Sequence, residues 1–254
     1  MPAFLVHGVP DTAALWNPVR SHLQRDDIIC HSLPGFGTPL PPGFEPTKDA
    51  YAAWVVDRIA EVGEPVDLVG HDWGSLLVQR CASLRPDLIR TLAFGEGPVD
   101  DTYTWHDMAR MWQTPGVGEE IMAAMTPEAL SAGLAGEIGA AAAEQTAAHL
   151  TDTMKQCILG LYRSAVTVGA EWQPGVEAVA GRFPCLVLWG KNDAFAGPEF
   201  GERAAQRLRA RLVLFEDSGH WWPLTKPAET AAALEALWNE AGNGADGPRG
   251  APKP

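Results

Sequence analysis

Short apolar runs alternate with longer helical patterns along the first hundred residues of the chain. Apolar runs typical of strands cover residues 3–6, 27–30, 66–69 and 90–94. Patterns typical of helices lie between them, near residues 14–24, 48–62 and 74–84. This alternation predicts βαβ units, in which parallel strands form one sheet and the connecting helices cover it.

The pattern changes in the middle of the chain and then returns. Residues 97–180 carry no strand pattern, and they offer helix starts at Thr126-Pro127-Glu128 and Thr151-Asp152. Strand and helix alternate again from residue 184 to about 240. We therefore predict an α/β core domain of residues 1–96 and 181–240, with a helical lid, residues 97–180, inserted between strands. The Gly- and Pro-rich tail, residues 241–254, is predicted to be disordered.

Composition narrows the class of protein. A formal net charge of −13 argues against nucleic acid or an anionic membrane surface as partner. The four cysteines are scattered and none has histidines at metal-ligand spacing, so we expect reduced thiols, no metal site and no cofactor. The chain shows neither a leader pattern nor a run long enough to span a bilayer. A cytoplasmic location is the corresponding expectation.

Candidate chemistry begins at Gly70-His71-Asp72-Trp73-Gly74, between a strand pattern and a helix pattern. Small residues on both sides of a central residue are typical of a nucleophile elbow, which exposes that residue at a helix N-terminus. Here the central residue is Asp72 rather than serine. A carboxylate that attacks an ester gives a reactive anhydride, whereas one that displaces a leaving group from saturated carbon gives an alkyl-enzyme ester. The motif therefore indicates displacement at carbon; an aspartate that only caps a helix is the alternative.

Hydrolysis of such an ester needs a base, an acid that orients it, and an oxyanion hole. Asp193 follows the strand pattern 185–189, and His220 follows the strand pattern 211–215. The order Asp72, Asp193, His220 predicts a catalytic triad in which His220 activates water and Asp193 stabilises its imidazolium.

The remaining part lies at the N-terminus. His7-Gly8-Val9-Pro10 follows the first strand pattern. It resembles the His-Gly-x-Pro oxyanion loop of epoxide hydrolases and haloalkane dehalogenases, and the resemblance implies that the backbone N–H groups of Val9 and Trp73 form the oxyanion hole. His7 and His71 are interpreted as supporting residues, with the His71 side chain turned away from the nucleophile's face by strand alternation.

These motifs, together with Trp189-Gly190-Lys191-Asn192-Asp193 and Ser218-Gly219-His220-Trp221, resemble the α/β-hydrolase branch that contains epoxide hydrolases and haloalkane dehalogenases. The resemblance runs from His7 to about Trp238. It implies an α/β-hydrolase fold, a mostly parallel sheet flanked by helices with an inserted helical lid. The first strand pattern, residues 3–6, leads directly into the His7-Gly8-Val9-Pro10 loop. The two strands that usually precede this loop in the fold are therefore expected to be absent or very short.

The two members of the branch differ in what assists the leaving group. Epoxide hydrolases supply lid tyrosines as proton donors, and Leu161-Tyr162-Arg163-Ser164 resembles the second of their motifs. Tyr162 is therefore the candidate acid, although a tyrosine that only packs the lid is the alternative. Met108 stands where the first tyrosine is expected. Either Tyr103 or His106 replaces it, or Tyr162 acts alone.

Haloalkane dehalogenases instead hold the leaving halide with N–H donors. Trp73 is one candidate, and Trp105 or Trp112 could supply the second from the lid. Glu96 resembles an alternative acid position of some dehalogenases and is second choice to Asp193. The paired arginines that fluoroacetate dehalogenases carry after the nucleophile are missing.

We expect epoxide hydrolysis first, haloalkane dehalogenation second and, from another class, a non-catalytic ligand-binding protein on a hydrolase scaffold. A lid rich in Trp, Met and Leu predicts an apolar pocket for a small apolar substrate. Oligomeric state stays open. The predicted substrate-binding residues are Trp73, Tyr103, His106, Met108, Trp112 and Trp221.

Overall fold

A computed structural model describes residues 1–245 of the chain. Its strands are Ala3–Val6 (β1), Ile28–Cys30 (β2), Val66–His71 (β3), Ile89–Gly95 (β4), Cys185–Gly190 (β5) and Arg211–Phe215 (β6). They form one parallel sheet in the order β2-β1-β3-β4-β5-β6. The predicted α/β-hydrolase fold is confirmed. β3 lies at the centre of this sheet, so the loop that follows it opens in the middle of the carboxyl edge, where α/β proteins place their sites.

The helices connect the strands or follow them. They are α1 (Asn17–Arg20), α2 (Lys48–Ala60), α3 (Trp73–Leu84), α4 (Asp107–Gln113), α5 (Val117–Ala124), α6 (Pro127–Ile138), α7 (Ala140–Ala147), α8 (Asp152–Arg163), α9 (Val168–Glu177), α10 (Pro198–Leu208), α11 (Trp222–Thr225) and α12 (Pro227–Ala245), with 3₁₀ turns at Ala13–Trp16 and Pro86–Leu88. The helix expected near 14–24 is thus a 3₁₀ turn followed by one α-helical turn. Pro18 stands at their junction, and proline is accommodated in a first helical turn but not inside a longer helix.

Both faces of the sheet are buried, which explains the continuous apolar runs in the strands. Phe4 and Val6 of β1 belong to one hydrophobic cluster, while Ala3 and Leu5 belong to the other. Successive side chains of a strand point to opposite faces, so one short strand contributes to both clusters.

The segment between β4 and β5 contains α4 to α9 and no strand, as its sequence pattern predicts. Two of its helices begin at the predicted positions. The hydroxyl of Thr126 accepts the backbone N–H of Ala129, and that of Thr151 accepts the backbone N–H of Met154. These are N-cap hydrogen bonds, and they fix where α6 and α8 begin.

The C-terminal prediction is wrong for residues 241–245, because α12 continues to Ala245. Leu234, Leu237 and Trp238 are buried against the sheet and anchor this helix. Once a helix is nucleated, each further residue adds one hydrogen bond, so the helix can extend through the glycines at its end. The rest of the predicted tail, 246–254, lies outside the described residues. In the described part of the chain, each helix is too short or too polar to cross a bilayer.

Candidate active site

Asp72 lies in the turn between β3 and α3, at φ 53° and ψ −123°. A non-glycine residue with positive φ is strained and persists only where its surroundings hold it. Its N–H donates to the carbonyl of Gly95 (3.0 Å), and its carbonyl accepts the N–H of Ser75 (2.8 Å). The turn therefore has the geometry of a nucleophile elbow, with the carboxylate held above the sheet edge.

The loop after β1 approaches this carboxylate closely. The N–H of Val9 donates to Asp72 Oδ2 at 2.8 Å. A Cβ atom on Gly8 would lie 2.2 Å from the same oxygen, so only glycine permits the approach. Val9 thus takes the position predicted for an oxyanion-hole donor, and Oδ1 is the oxygen that faces His220. The part assigned to the Trp73 N–H stays a prediction.

His220 connects the two aspartates. Its Nδ1 lies 3.0 Å from Asp193 Oδ2, and its Nε2 lies 3.4 Å from Asp72 Oδ1. Asp193 is held in turn, because its Oδ1 accepts the N–H of Phe195 at 2.7 Å. The three residues expected to act together are therefore adjacent, in the order nucleophile, histidine, acid.

The pKa values of His220 and Asp72 depend on each other's charge. Burial alone would lower the pKa of His220, but the charges and hydrogen bonds of Asp193 and Asp72 raise it well above its usual value. Burial alone would likewise raise the pKa of Asp72, yet hydrogen bonding and the charge of His220 hold it below its usual value. Both shifts favour the charged form, so Asp72 and His220 each stabilise the charge of the other.

His7 and His71 support the site from outside the cavity. His7 Nδ1 contacts the carbonyl of Gly8 (2.7 Å), and its Nε2 accepts the N–H of Leu33 (2.9 Å), so both nitrogens are occupied. His71 Nε2 lies 2.7 Å from the carbonyl of His220, and the two rings are 5.1 Å apart. His71 does not line the cavity. Its ring packs against Trp222, which belongs to the same hydrophobic cluster as Val69 two residues earlier in β3.

Glu96 lies near Asp193. It is 3 % exposed, has a positive φ of 56°, and accepts the N–H of Gly190. Burial, followed by the charge of Asp193, raises its pKa well above the usual value. Glu96 is hydrogen-bonded to Gly190, whereas Asp193 is the carboxylate within hydrogen-bond distance of His220.

A cavity of about 230 Å³ opens above Asp72. The predicted site residues line it, with the exception of Asp193, which lies behind His220: they are Val9, Asp72, Trp73, Tyr103, His106, Met108, Trp112, Tyr162, His220 and Trp221. The loops of the sheet supply the reacting groups, and the segment between β4 and β5 supplies most of the aromatic wall. Within residues 1–245, no group of three His, Cys, Asp or Glu side chains is arranged to hold a metal ion.

Tyr162 is central to the aromatic wall. Its ring centroid lies 5.2 Å from Trp73, 5.1 Å from Trp105 and 4.9 Å from Trp112. The Trp105 N–H donates to the carbonyl of Ala165. By contrast, the indole N–H groups of Trp73 and Trp112 are buried and form no hydrogen bond with the described residues.

The three residues considered for the first lid donor differ clearly. The Tyr103 hydroxyl donates to the carbonyl of Phe195 (3.1 Å), so its proton is already engaged. Met108 lines the cavity but is 38 % exposed and has no proton to give. His106 Nδ1 accepts the N–H of Ala109, which leaves the proton of the neutral ring on Nε2. Burial lowers the pKa of His106 and so favours that neutral form.

Sequence reasoning missed Asp11 and Phe195. Asp11 is 3 % exposed, and its Oδ2 accepts the indole N–H of Trp221 (3.1 Å), whose ring lies 4.8 Å from His220. Phe195 lines the cavity and lies 4.9 Å from His220. Two sequence positions could have indicated them. Asp11 directly follows the His7-Gly8-Val9-Pro10 motif, and Phe195 lies two residues after Asp193.

The fold and the site together define a hydrolase of the α/β class. Residues 3–233 match the model of the alpha/beta hydrolase family, and the chain belongs to that family. One curated relative is the (E)-2-((N-methylformamido)methylene)succinate hydrolase of Acinetobacter baylyi. It is 24% identical over 242 residues, which cover 94% of this chain and 90% of that protein.

Solved structures show the same fold. A haloalkane dehalogenase from Bradyrhizobium elkani has a TM-score of 0.78 at 23% identity and covers 94% of this chain and 91% of its own. A protein from Pseudomonas aeruginosa assigned as an epoxide hydrolase has a TM-score of 0.80 at 18% identity, covering 95% and 89%. Both kinds of protein belong to the branch that the motifs indicate.

Proposed function

We propose that this hydrolase converts an apolar epoxide to a vicinal diol through an ester on Asp72. The observation that carries the proposal is the placement of proton donors around one cavity. Asp72 faces a space that is also lined by Tyr162 and by His106, whose ring nitrogen Nε2 carries the proton. An epoxide oxygen stays attached to its carbon and needs such donors when the ring opens.

In the first step Asp72 Oδ1 attacks one epoxide carbon from behind, the carbon–oxygen bond breaks, and the oxygen takes the proton of Tyr162. His106 Nε2–H donates a hydrogen bond to the same oxygen. Tyr103 has no such part, because its hydroxyl donates to Phe195. Burial and the charge of Asp72 raise the pKa of Tyr162 well above its usual value. Forming the ester removes that charge, so Tyr162 becomes a better acid as its proton is needed.

The same event prepares the second step. The charge of Asp72 is among the causes that raise the pKa of His220, and it disappears in the ester. His220 then releases its proton, which returns to the Tyr162 phenolate, and the neutral imidazole can deprotonate water. The hydroxide attacks the ester carbon, and the Val9 N–H holds the oxyanion on Oδ2. Collapse expels the alkoxide, which takes the carboxyl proton, and the diol leaves.

The segment containing α4 to α9 acts as a lid in this proposal. It brings Trp105, Trp112 and Tyr162 over the nucleophile, so that little water reaches Asp72 before the substrate binds. A small apolar partner suits such walls, and no cofactor is needed for either step.

One observation favours haloalkane dehalogenation as the second candidate. A halide that leaves as an anion needs N–H donors, and the free indole N–H groups of Trp73 and Trp112 both belong to side chains that line the cavity. Tyr162 packs against both indoles, so a leaving atom near its hydroxyl is also near them. The same cavity thus contains proton donors that suit epoxide opening and indole N–H donors that suit halide departure.

The variant His220→Gln separates these candidates, because it lets the ester form and blocks its hydrolysis. The intact protein is exposed to an epoxide or a haloalkane and weighed by mass spectrometry, and the adduct is mapped to a peptide. A mass increase equal to the whole epoxide, located on Asp72, is the expected result. An adduct equal to the haloalkane minus hydrogen halide would select the second candidate.

The matched control is His22→Gln, which replaces an exposed histidine and should accumulate no ester. Failure of both substrate classes to label His220→Gln would overturn covalent catalysis and favour a ligand-binding protein on a hydrolase scaffold.

A further inference from the structure

The size of the cavity limits what can react at Asp72. Its volume is about 230 Å³. An apolar cavity of about 150 Å³ is enough to bind benzene, which has six non-hydrogen atoms. If the number of atoms scales with the volume, the cavity at Asp72 holds a molecule of about nine non-hydrogen atoms. Styrene oxide has this size. An epoxide that carries two separate rings does not fit without displacing a wall.

The shape of the walls favours a flat substituent. Trp73 and Trp105 are stacked, with ring centroids 5.7 Å apart and an angle of 18° between their planes. Tyr162 and Phe195 present further rings to the same space. Aromatic rings attract one another in offset and edge-to-face arrangements, so a planar ring gains contacts here that a flexible alkyl chain of equal size does not.

The charges of the walls disfavour an anionic substituent. No lysine or arginine is among the described residues that line the cavity, whereas Asp72 is. His220 is already paired with Asp193 and Asp72. A carboxylate on the substrate would therefore be buried next to Asp72 without a free partner.

We infer that the preferred substrate is a small, uncharged epoxide that carries a single aromatic ring. The inference rests on the proposed epoxide hydrolase function and adds the substrate class. The size limit is set on one side by aliphatic side chains from the helical segment, Met125, Leu130, Leu134 and Ile158. Met125 is only half-buried, so its truncation enlarges the cavity with little loss of core packing.

The test compares kcat/KM for four epoxides. Styrene oxide should be the best. An aliphatic epoxide with the same number of non-hydrogen atoms, 1,2-epoxyoctane, should be about fivefold poorer, since it lacks the ring contacts. trans-Stilbene oxide and phenylglycidate should each be poorer by about a hundredfold, the former through its size and the latter through its charge. Equal or faster turnover of any of these three would overturn the inference.

Variants locate the size limit. Met125→Ala should raise the ratio of trans-stilbene oxide to styrene oxide turnover by about tenfold, and Leu130→Ala should act in the same direction if Met125→Ala folds poorly. The control is Leu84→Ala, which shortens a 47 % exposed side chain outside the cavity and should leave the ratio unchanged. An unchanged ratio in folded Met125→Ala and Leu130→Ala would remove the helical segment as the source of the limit.

Binding to Asp72→Asn separates this inference from the proposed function. This variant lacks the nucleophile, and the tryptophans around the cavity should report binding by fluorescence quenching. Tighter binding of styrene oxide than of trans-stilbene oxide, with no turnover of either by the unmodified enzyme, would overturn the proposed function but support the size limit. Turnover with the opposite binding order would overturn the inference alone.

Discussion

The two sides of the active-site cavity are built in different ways. On the side of the sheet, Asp72, Val9, Asp193 and His220 are fixed by hydrogen bonds that involve backbone groups or charged partners. On the side of the helical segment, Tyr162 is surrounded by three tryptophans in ring-to-ring contact, and Met108 is partly exposed. In the proposed reaction, the first side supplies the attacking carboxylate and the groups that hydrolyse the ester. The second side, in the same proposal, selects the leaving group and the substituent.

If that division is correct, substitutions in the helical segment should separate the two candidate reactions. Tyr162→Phe removes the acid without removing the ring, and it should lower epoxide turnover by about a hundredfold while changing any haloalkane turnover little. Trp112→Phe removes an N–H donor and should have the reverse selectivity. Initial rates with one substrate of each class test this, and equal losses in both reactions for Tyr162→Phe would contradict the division.

A smaller effect is expected where the two sides meet. Asp11 accepts the N–H of Trp221, and its pKa is raised to about 7, first by burial and also by the charge of Asp72. The positive charge of His220 and hydrogen bonds from Trp221 and Thr146 act in the opposite direction. In the unfolded chain an aspartate has its usual pKa, so the folded protein binds one more proton between about pH 4 and 7. The stability of the fold therefore falls as the pH rises through this window.

Asp11→Asn cannot ionise and retains an acceptor for Trp221. Its free energy of unfolding relative to the unmodified protein should increase across that window, by at most about 1.4 kcal/mol per pH unit, and stay level above it. Urea unfolding at pH 5, 6, 7 and 8 measures the difference. The exposed Asp57→Asn on α2 is the control. A difference independent of pH would show that Asp11 keeps an ordinary pKa.

The sheet side of the site could be predicted from sequence because its residues follow strands. Asp72 and His220 sit in short loops whose glycines and flanking apolar runs are visible without a structure. The parallel direction of the strands and the burial of both faces follow from the same alternation. This is why the α/β-hydrolase fold was predictable.

The helical side could not be predicted to the same depth. The choice among Tyr103, His106 and Tyr162 depends on hydrogen bonds to Phe195 and Ala109, which no local pattern specifies. Asp11 was missed because its partner, Trp221, is distant in sequence.

The most direct test of covalent catalysis at Asp72 is a single turnover in ¹⁸O-labelled water with enzyme in excess over epoxide. The diol should contain no label, and peptide mass spectrometry should find one ¹⁸O atom in the Asp72 carboxyl group, because water attacks the ester and not the epoxide. Label in the diol, with Asp72 unlabelled, would contradict the account.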